Sequence, residues 1–168
     1  MKRMILTAVL AIATTFALTA QNYMVVNSEK VFKSISEYNS AIEQLDKLAE
    51  SYQKQVDEKF SQIEKLYNNY MAQKTSLSAT AQQAVEKEIL SREDEATKYQ
   101  ETLFGTDGTL MKERVKLIQP IQEKVFSAIE KYAVSKGFDL VIDIASNPTV
   151  LYYSPKADHT QAIIDALK

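Results

Sequence analysis

Cysteine is absent from this chain of 168 residues, tryptophan is absent too, and histidine occurs once. Without cysteine there are no disulfides, thiolate nucleophiles or cysteine zinc sites, so burial or association must hold the fold together. The one histidine, His159, would have to carry any Ser-His-Asp arrangement alone, at the mouth of a terminal helical segment with no nucleophile motif near it. It reads as a surface or cap-adjacent residue. No D-x-D-x-D-G loop is present, so calcium lacks a motif as zinc does, and no cofactor is expected. Glycine and proline are scarce, at three each, and most of them fall at breaks between long elements.

Two further patterns could carry chemistry, and neither does so well. Asp139 and Asp143 bracket an apolar run and point to one side of an extended chain, but acids at strand ends are ordinary turn formers and no third group is placed beside them. Gly105-Thr106-Asp107-Gly108 lacks the preceding strand and the Lys-Ser/Thr ending of a phosphate loop. It reads as a helix break, with Asp107 or Thr109 restarting the helix. With no constellation of nucleophile, base and orienter, an enzyme is not expected.

What is present begins with residues 1–20. Met1, Lys2 and Arg3 give a positive start, Met4 to Leu18 are apolar apart from scattered threonines, and Ala17-Leu18-Thr19-Ala20 ends on a small residue. This is the pattern of a secretory signal peptide cleaved near Ala20, and the run is short for a membrane span. Loss of Lys2 and Arg3 lowers the bases from 20 to 18 against 22 acids, a net charge of about −4. Nucleic acid, which needs clustered positive charge, is therefore excluded as a partner.

Two long amphipathic segments follow, about residues 37–74 and 80–135. In the first, Ile42, Leu45, Ala49, Tyr52, Val56, Phe60, Ile63, Tyr67 and Tyr70 recur at steps of three and four, with one four-four interruption at Val56–Phe60. Val85, Ile89, Ala96, Tyr99 and Leu103 continue the rhythm, Arg92 standing where an apolar residue belongs, and Leu110 to Tyr132 carry it on to Gly137, a C-cap. The spacing predicts an antiparallel helical hairpin over 37–135 with its tip near 75–80. Ser28, Ser36, Thr80 with Gln83, and Asp158 with Gln161 are the expected N-caps. Pro120 should kink the returning helix or interrupt its hydrogen bonding. Tyr52, Tyr67, Tyr70 and Tyr99, with Phe60, Met71 and Phe104, either fill the seam or offer adaptable contact area, and spacing does not sort them.

The remaining residues, 21–36 and 136–168, form the body. Tyr23 to Val26, Leu140 to Ile142 and Val150 to Tyr153 read as strands, the last two joined by a turn at Asn147-Pro148. The fold class is α+β, a small strand body with a long helical hairpin arm. Fewer than about 50 residues make a marginal core without disulfides or metal, which points to oligomerisation.

The order of these parts resembles the Skp/OmpH family of periplasmic chaperones. The resemblance rests on Val25-Val26-Asn27-Ser28-Glu29-Lys30-Val31-Phe32, on Gln119-Pro120-Ile121-Gln122-Glu123-Lys124-Val125, and on the Gly-aromatic-Asp-apolar run at 137–143. It implies a homotrimer in which strands of three subunits form a β-barrel body, with Val25, Val26, Leu140, Val141, Ile142, Leu151 and Tyr152 at the oligomerisation contacts. It implies too that the hairpins surround a cavity in which unfolded outer-membrane proteins are held in the periplasm without ATP. One departure stands out: the best-known members of the family it resembles are basic and carry positive arm tips, whereas residues 37–104 here hold 8 bases against 13 acids. No lipopolysaccharide-binding residues are carried over, and contact with a membrane surface stays open. Flexibility about Gly105, Gly108 and Pro120 would let the arms adjust to cargo. The other reading is a structural coiled-coil adaptor of the envelope that binds one folded partner. Apolar side chains exposed outside the hairpin seam would separate the two.

Overall fold

The computed structural model describes residues 22–168, and the expected signal peptide lies outside them. Two compact units are present. Unit 1 takes residues 22–34 and 125–168, and unit 2 takes Ile35–Lys124.

Unit 1 starts with β1 (Tyr23–Val26), which pairs in parallel with β2 (Leu140–Asp143), Tyr23 opposite Leu140 and Val26 opposite Asp143. Parallel neighbours need a long connection, and here all the chain between the strands serves as that crossover. Three successive β1 residues, Met24, Val25 and Val26, are buried, so both faces of the strand are covered. Its second edge is also used: Val25 bridges Asp158, and the His159 N–H donates to the Val25 carbonyl at 3.0 Å. Helices α1 (Ser28–Lys33) and α5 (Thr160–Ala166) pack on one another. Val31, Val125 and Ile163 complete the set of fully buried side chains in this unit.

The expected strand over Val150–Tyr153 does not form. The segment is irregular, with Leu151 94% and Tyr152 83% exposed. A strand exists only as one side of a ladder, and this segment pairs with neither strand: both edges of β1 are taken by β2 and by Asp158-His159, and the far edge of β2 is left open among the described residues.

The helix starts are shifted as well. Asn27, not Ser28, caps α1, accepting from the Lys30 N–H at 3.0 Å. Helix α2 (Ser36–Gln73) has Ile35 at its cap with no side-chain bond, and the Ser36 hydroxyl donates to Glu37 instead. Helix α3 (Ala79–Phe104) is capped by Ser78, which accepts from the Ala81 N–H at 3.2 Å, so the Thr80–Gln83 box is not used. Gln82 turns back and donates to the carbonyls of Lys74 and Leu77. His159 occupies the cap of α5, while Asp158 accepts from the N–H and hydroxyl of Thr160. Asn27 and Ser78 are the polar residues that the backbone leaves extended just before the first turn, and they cap; the caps of α2 and α5 fall on Ile35 and His159, which make no side-chain cap bond. Helix α4 (Thr109–Lys136) runs on through Pro120 without a break, although proline has no N–H to donate there. Gly137 closes it with φ 70°, the Phe138 N–H donating to the Ala133 carbonyl and the Gly137 N–H to that of Val134.

Asp143 fastens the end of β2 to α1. Its carboxylate accepts from the Ser28 N–H at 3.1 Å, the Ser28 hydroxyl at 2.6 Å and the Ala145 N–H at 3.0 Å. Burial pushes its pKa up, but these three donors outweigh burial and leave it below the ordinary value. A depressed folded pKa means that the stabilisation is present above the unfolded carboxylate value, about 3.9, and is lost as pH falls through the folded one. Thermal midpoints measured from about pH 6 down to about pH 2 should therefore fall in the acid range, and Asp143→Asn should flatten that part of the curve. An unchanged curve in the variant would remove Asp143 from the account.

Unit 2 is dominated by α2, whose 38 residues reach about 57 Å. A short 3-10 turn at Lys74–Ser76 reverses the chain into α3. Val56, Ile63 and Tyr70 on α2, and Ile89, Ala96 and Leu103 on α3, are the buried positions, each set spaced by sevens. Ile63, Tyr70, Ile89 and Ala96 form one cluster with Leu66, Leu77 and Val85 packed against it. Further along α2, Ala41 and Leu45 pack with Ile118 of α4 in a second cluster that includes Tyr38, Ile42, Leu110, Leu117 and Ile121. Between α3 and α4, the Gly108 N–H donates to the Gly105 carbonyl at 2.9 Å and closes a tight turn.

Candidate functional site

A heptad seam normally buries two residues per repeat, but this one buries about one. The second line of apolar residues on α2 is displaced by the four-four interruption after Val56. Phe60, Tyr67 and Met71 therefore lie on the flank of the seam, 39%, 48% and 50% exposed. The aromatic residues that spacing leaves unsorted thus divide cleanly. Tyr52 meets Phe104 edge to face with ring centroids 6.3 Å apart, and the Tyr99 hydroxyl donates to Gln55 at 2.6 Å under the Lys59 ammonium. Tyr70 donates to Glu86 Oε1 at 2.5 Å, and the Lys74 ammonium lies 3.4 Å from the same oxygen. These four aromatics close the hairpin; Phe60, Tyr67 and Met71 do not. The Tyr70 hydroxyl, followed by Lys74, holds the Glu86 carboxyl below its usual range, while the bond to Glu86 raises Tyr70.

Arg92 sits at the level where the seam loses its apolar character. It donates from Nε and Nη2 to Glu88 and shares a small polar pocket with Lys59, Gln62 and Glu95 above Ile63 and Ala96. Other exposed apolar side chains of unit 2 are Leu90, Met111 and Val115. The sequence reading missed them because periodicity marks which residues are apolar on a face, not which of two adjacent faces meets a partner helix.

In unit 1 the residues proposed for subunit contacts separate into two groups. Val25 and Val26 are enclosed in the core of their own chain, and Val141 and Ile142 are half-buried. Leu140, Leu151 and Tyr152 are exposed, together with Tyr23 opposite Leu140, a residue the sequence reading did not single out as a contact. The far edge of β2 has no ladder partner among the described residues.

The catalytic candidates are occupied structurally. Asp139 accepts from the Asn22 N–H at 3.1 Å, whereas Asp143 turns to Ser28 and Ala145, so the two carboxylates do not converge. His159 Nδ1 lies 2.9 Å from the Tyr132 hydroxyl, and its ring packs edge-on to Phe138. The Gly105–Gly108 turn is tightly closed: a Cβ at Gly108 would stand 2.8 Å from the Leu103 carbonyl oxygen. Among the described residues no group of three or more His, Asp and Glu side chains is placed to hold a metal, and no helix is long and apolar enough to cross a membrane.

A strand, a short capped helix, a hairpin inserted in the crossover and a returning parallel strand are thus laid out over the whole described chain. The family described as outer membrane protein (OmpH-like) matches residues 22–167. This chain belongs to the OmpH-like family. The crystal structure of an OmpH-like protein from Caulobacter crescentus CB15, assigned there as an outer membrane chaperone, superposes with a TM-score of 0.64. It is 12% identical and covers 91% of this chain and 87% of its own. At that identity the likeness concerns the fold. No curated protein matches the sequence. The OmpH-like fold is α+β and mostly helical, with a sheet of two strands here.

Proposed function

We propose that this protein is an ATP-independent holdase that is exported to the periplasm and keeps unfolded outer-membrane proteins from aggregating. One observation carries the reading: Phe60, Tyr67 and Met71 stand exposed beside a seam that closes without them. A hairpin built only as a spacer gains nothing from leaving large apolar groups in water, whereas a surface that binds many apolar segments weakly needs them. Membership of the OmpH-like family and the chaperone assignment of the Caulobacter protein support it. Such binding needs no chemistry, since capturing the unfolded chain faster than it aggregates is enough. In this reading three copies assemble through the exposed Tyr23, Leu140, Leu151 and Tyr152 and the open edge of β2, and flexing about Gly105, Gly108 and Pro120 adapts the hairpins to cargo of different size.

The test is light scattering coupled to size exclusion, with the mature protein alone and after mixing with a urea-unfolded outer-membrane barrel. A mass of three chains that gains one cargo chain and keeps it soluble is the expected result. The Phe60→Ser, Tyr67→Ser, Met71→Ser triple variant should bind cargo at least about tenfold more weakly with its helix content intact. Leu140→Asp should yield folded monomers. A wild-type protein that leaves the cargo to aggregate overturns the reading and favours an adaptor for a folded partner.

A further inference from the structure

The exposed flank of α2 has a second character besides its apolar one. Steps of four and three from Asp46 lead through Glu50, Gln53, Asp57, Phe60, Glu64 and Tyr67 to Met71, and every residue of that series is exposed. Spacing that averages 3.5 keeps the series on one face of the helix. Its charged members are all acids. None of Asp46, Glu50, Asp57 and Glu64 takes part in an ion pair among the described residues, and Asp57 accepts from the neutral Gln53 amide at 2.8 Å. Lys65 falls about 100° from Glu64 at ~100° per residue, whereas Lys54, four residues after Glu50 and three before Asp57, flanks the first half of the series. The lysine nearest in sequence to the start of the series, Lys47, is held by Glu43 at 2.6 Å.

We infer that this stripe selects the cationic, apolar segments of its cargo: stretches in which lysine or arginine alternates with aliphatic or aromatic residues. The inference rests on the holding role and names the part of an unfolded chain that the hairpin takes. Phe60, Tyr67 and Met71 supply area, and Asp57 one turn before Phe60 and Glu64 between Phe60 and Tyr67 supply negative charge at the same surface. An acidic or neutral segment would gain the first without the second. The stripe from residue 46 to residue 71 is about 37 Å long, enough for roughly eleven residues of extended chain. Because the acids are exposed, the preference works mainly through association and weakens as salt screens it.

Two fluorescein-labelled peptides of equal apolar content, one with lysine and one with glutamate at the remaining positions, are titrated with the mature protein and followed by anisotropy. At low salt the lysine peptide should bind about tenfold more tightly, and the gap should close at high salt. In Asp57→Lys, Glu64→Lys protein of unchanged helix content the preference should reverse. Equal affinity for both peptides overturns the charge selection while leaving the holding role standing; failure to bind either overturns both. A preference that persists in the double variant moves the selection elsewhere and overturns it for this stripe. A double variant whose mass changes in light scattering, with peptide binding unaltered, shows that the stripe is a contact between copies, and this too overturns it.

Discussion

Replacing Ile163 by Asp should unfold unit 1. The side chain is fully buried, with 0% exposure, and it lies on α5, which packs against α1 over a core whose other fully buried members are Met24, Val25, Val26, Val31 and Val125. No described polar group of that core is free to receive a carboxylate: Thr160, the buried polar residue, already bonds the Asn27 N–H and Asp158. An unpaired buried charge costs several kcal/mol even after relaxation, against a total stability of about 5 to 15 kcal/mol for an ordinary domain. So small a core, with no disulfide, has little to spare. Circular dichroism should show loss of the cooperative thermal transition of this unit at room temperature, and Ile163→Val, which only trims a methylene, should lower stability by about 0.5 to 1.5 kcal/mol. A fully folded Ile163→Asp protein would mean that the side chain can swing to solvent and that the core is not where we place it. Leu140→Asp is the matching control, because its side chain is already 56% exposed. In the trimer proposed above, the two substitutions separate folding of the subunit from assembly.

Gly108→Ala should destabilise unit 2 more than Gly137→Ala destabilises unit 1, although only Gly137 has a positive φ. At Gly137, with φ 70°, an added Cβ would meet nothing within 4 Å, so the cost is that of a left-handed alanine, about 1 to 2 kcal/mol. At Gly108 the dihedral is not the obstacle. A Cβ there would lie 2.8 Å from both the Gly105 nitrogen and the Leu103 carbonyl oxygen, and 2.9 Å from the Gly105 oxygen. These are backbone atoms in the turn that links α3 to α4, so the turn itself must open, at a cost of about 1 to 3 kcal/mol. Urea midpoints compared at equal slope would rank the two. A Gly108→Ala protein as stable as wild type would show that the turn is loose. The same crowding alters how a glycine-to-alanine experiment on flexibility is read: at Gly105 a Cβ would stand 2.5 Å from the Glu101 carbonyl oxygen, so either substitution distorts the turn before it stiffens it.

The candidate surface shows where sequence reasoning stopped. That α2 would be a long helix with an apolar stripe followed from the three-four spacing, and Tyr67 and Tyr70 were equivalent within that stripe. The structure buries Tyr70 against Glu86 and leaves Tyr67 in water. Two faces about 60° apart each carried a plausible line of apolar residues, and only the approach of α3 chose between them. The acidic series beside Phe60 was readable in principle from its period, but it becomes a surface only once the seam is known to lie elsewhere.

The sequence by itself determined the elements made by local periodicity and by residues with a fixed backbone habit: the long helices, their reversal among small hydroxylated residues, the stop at Gly137, and the apolar runs of β1 and β2. It determined the absence of catalytic motifs too, which needs only a count of residue types and their spacing. Tertiary structure alone decided whatever depends on a partner distant in sequence. Val150–Tyr153 has strand-forming residues but joins neither the occupied edges of β1 nor the open edge of β2, so it stays irregular. Ser28 could have capped its helix, but Asn27 does so and the Ser28 hydroxyl goes to Asp143, 115 residues away. The division is one of range: dihedral preference and periodicity act within a few residues and can be read from them, whereas the pairing of an edge, the facing of a helix and the use of a side-chain oxygen are settled by competition among groups that only folding brings together.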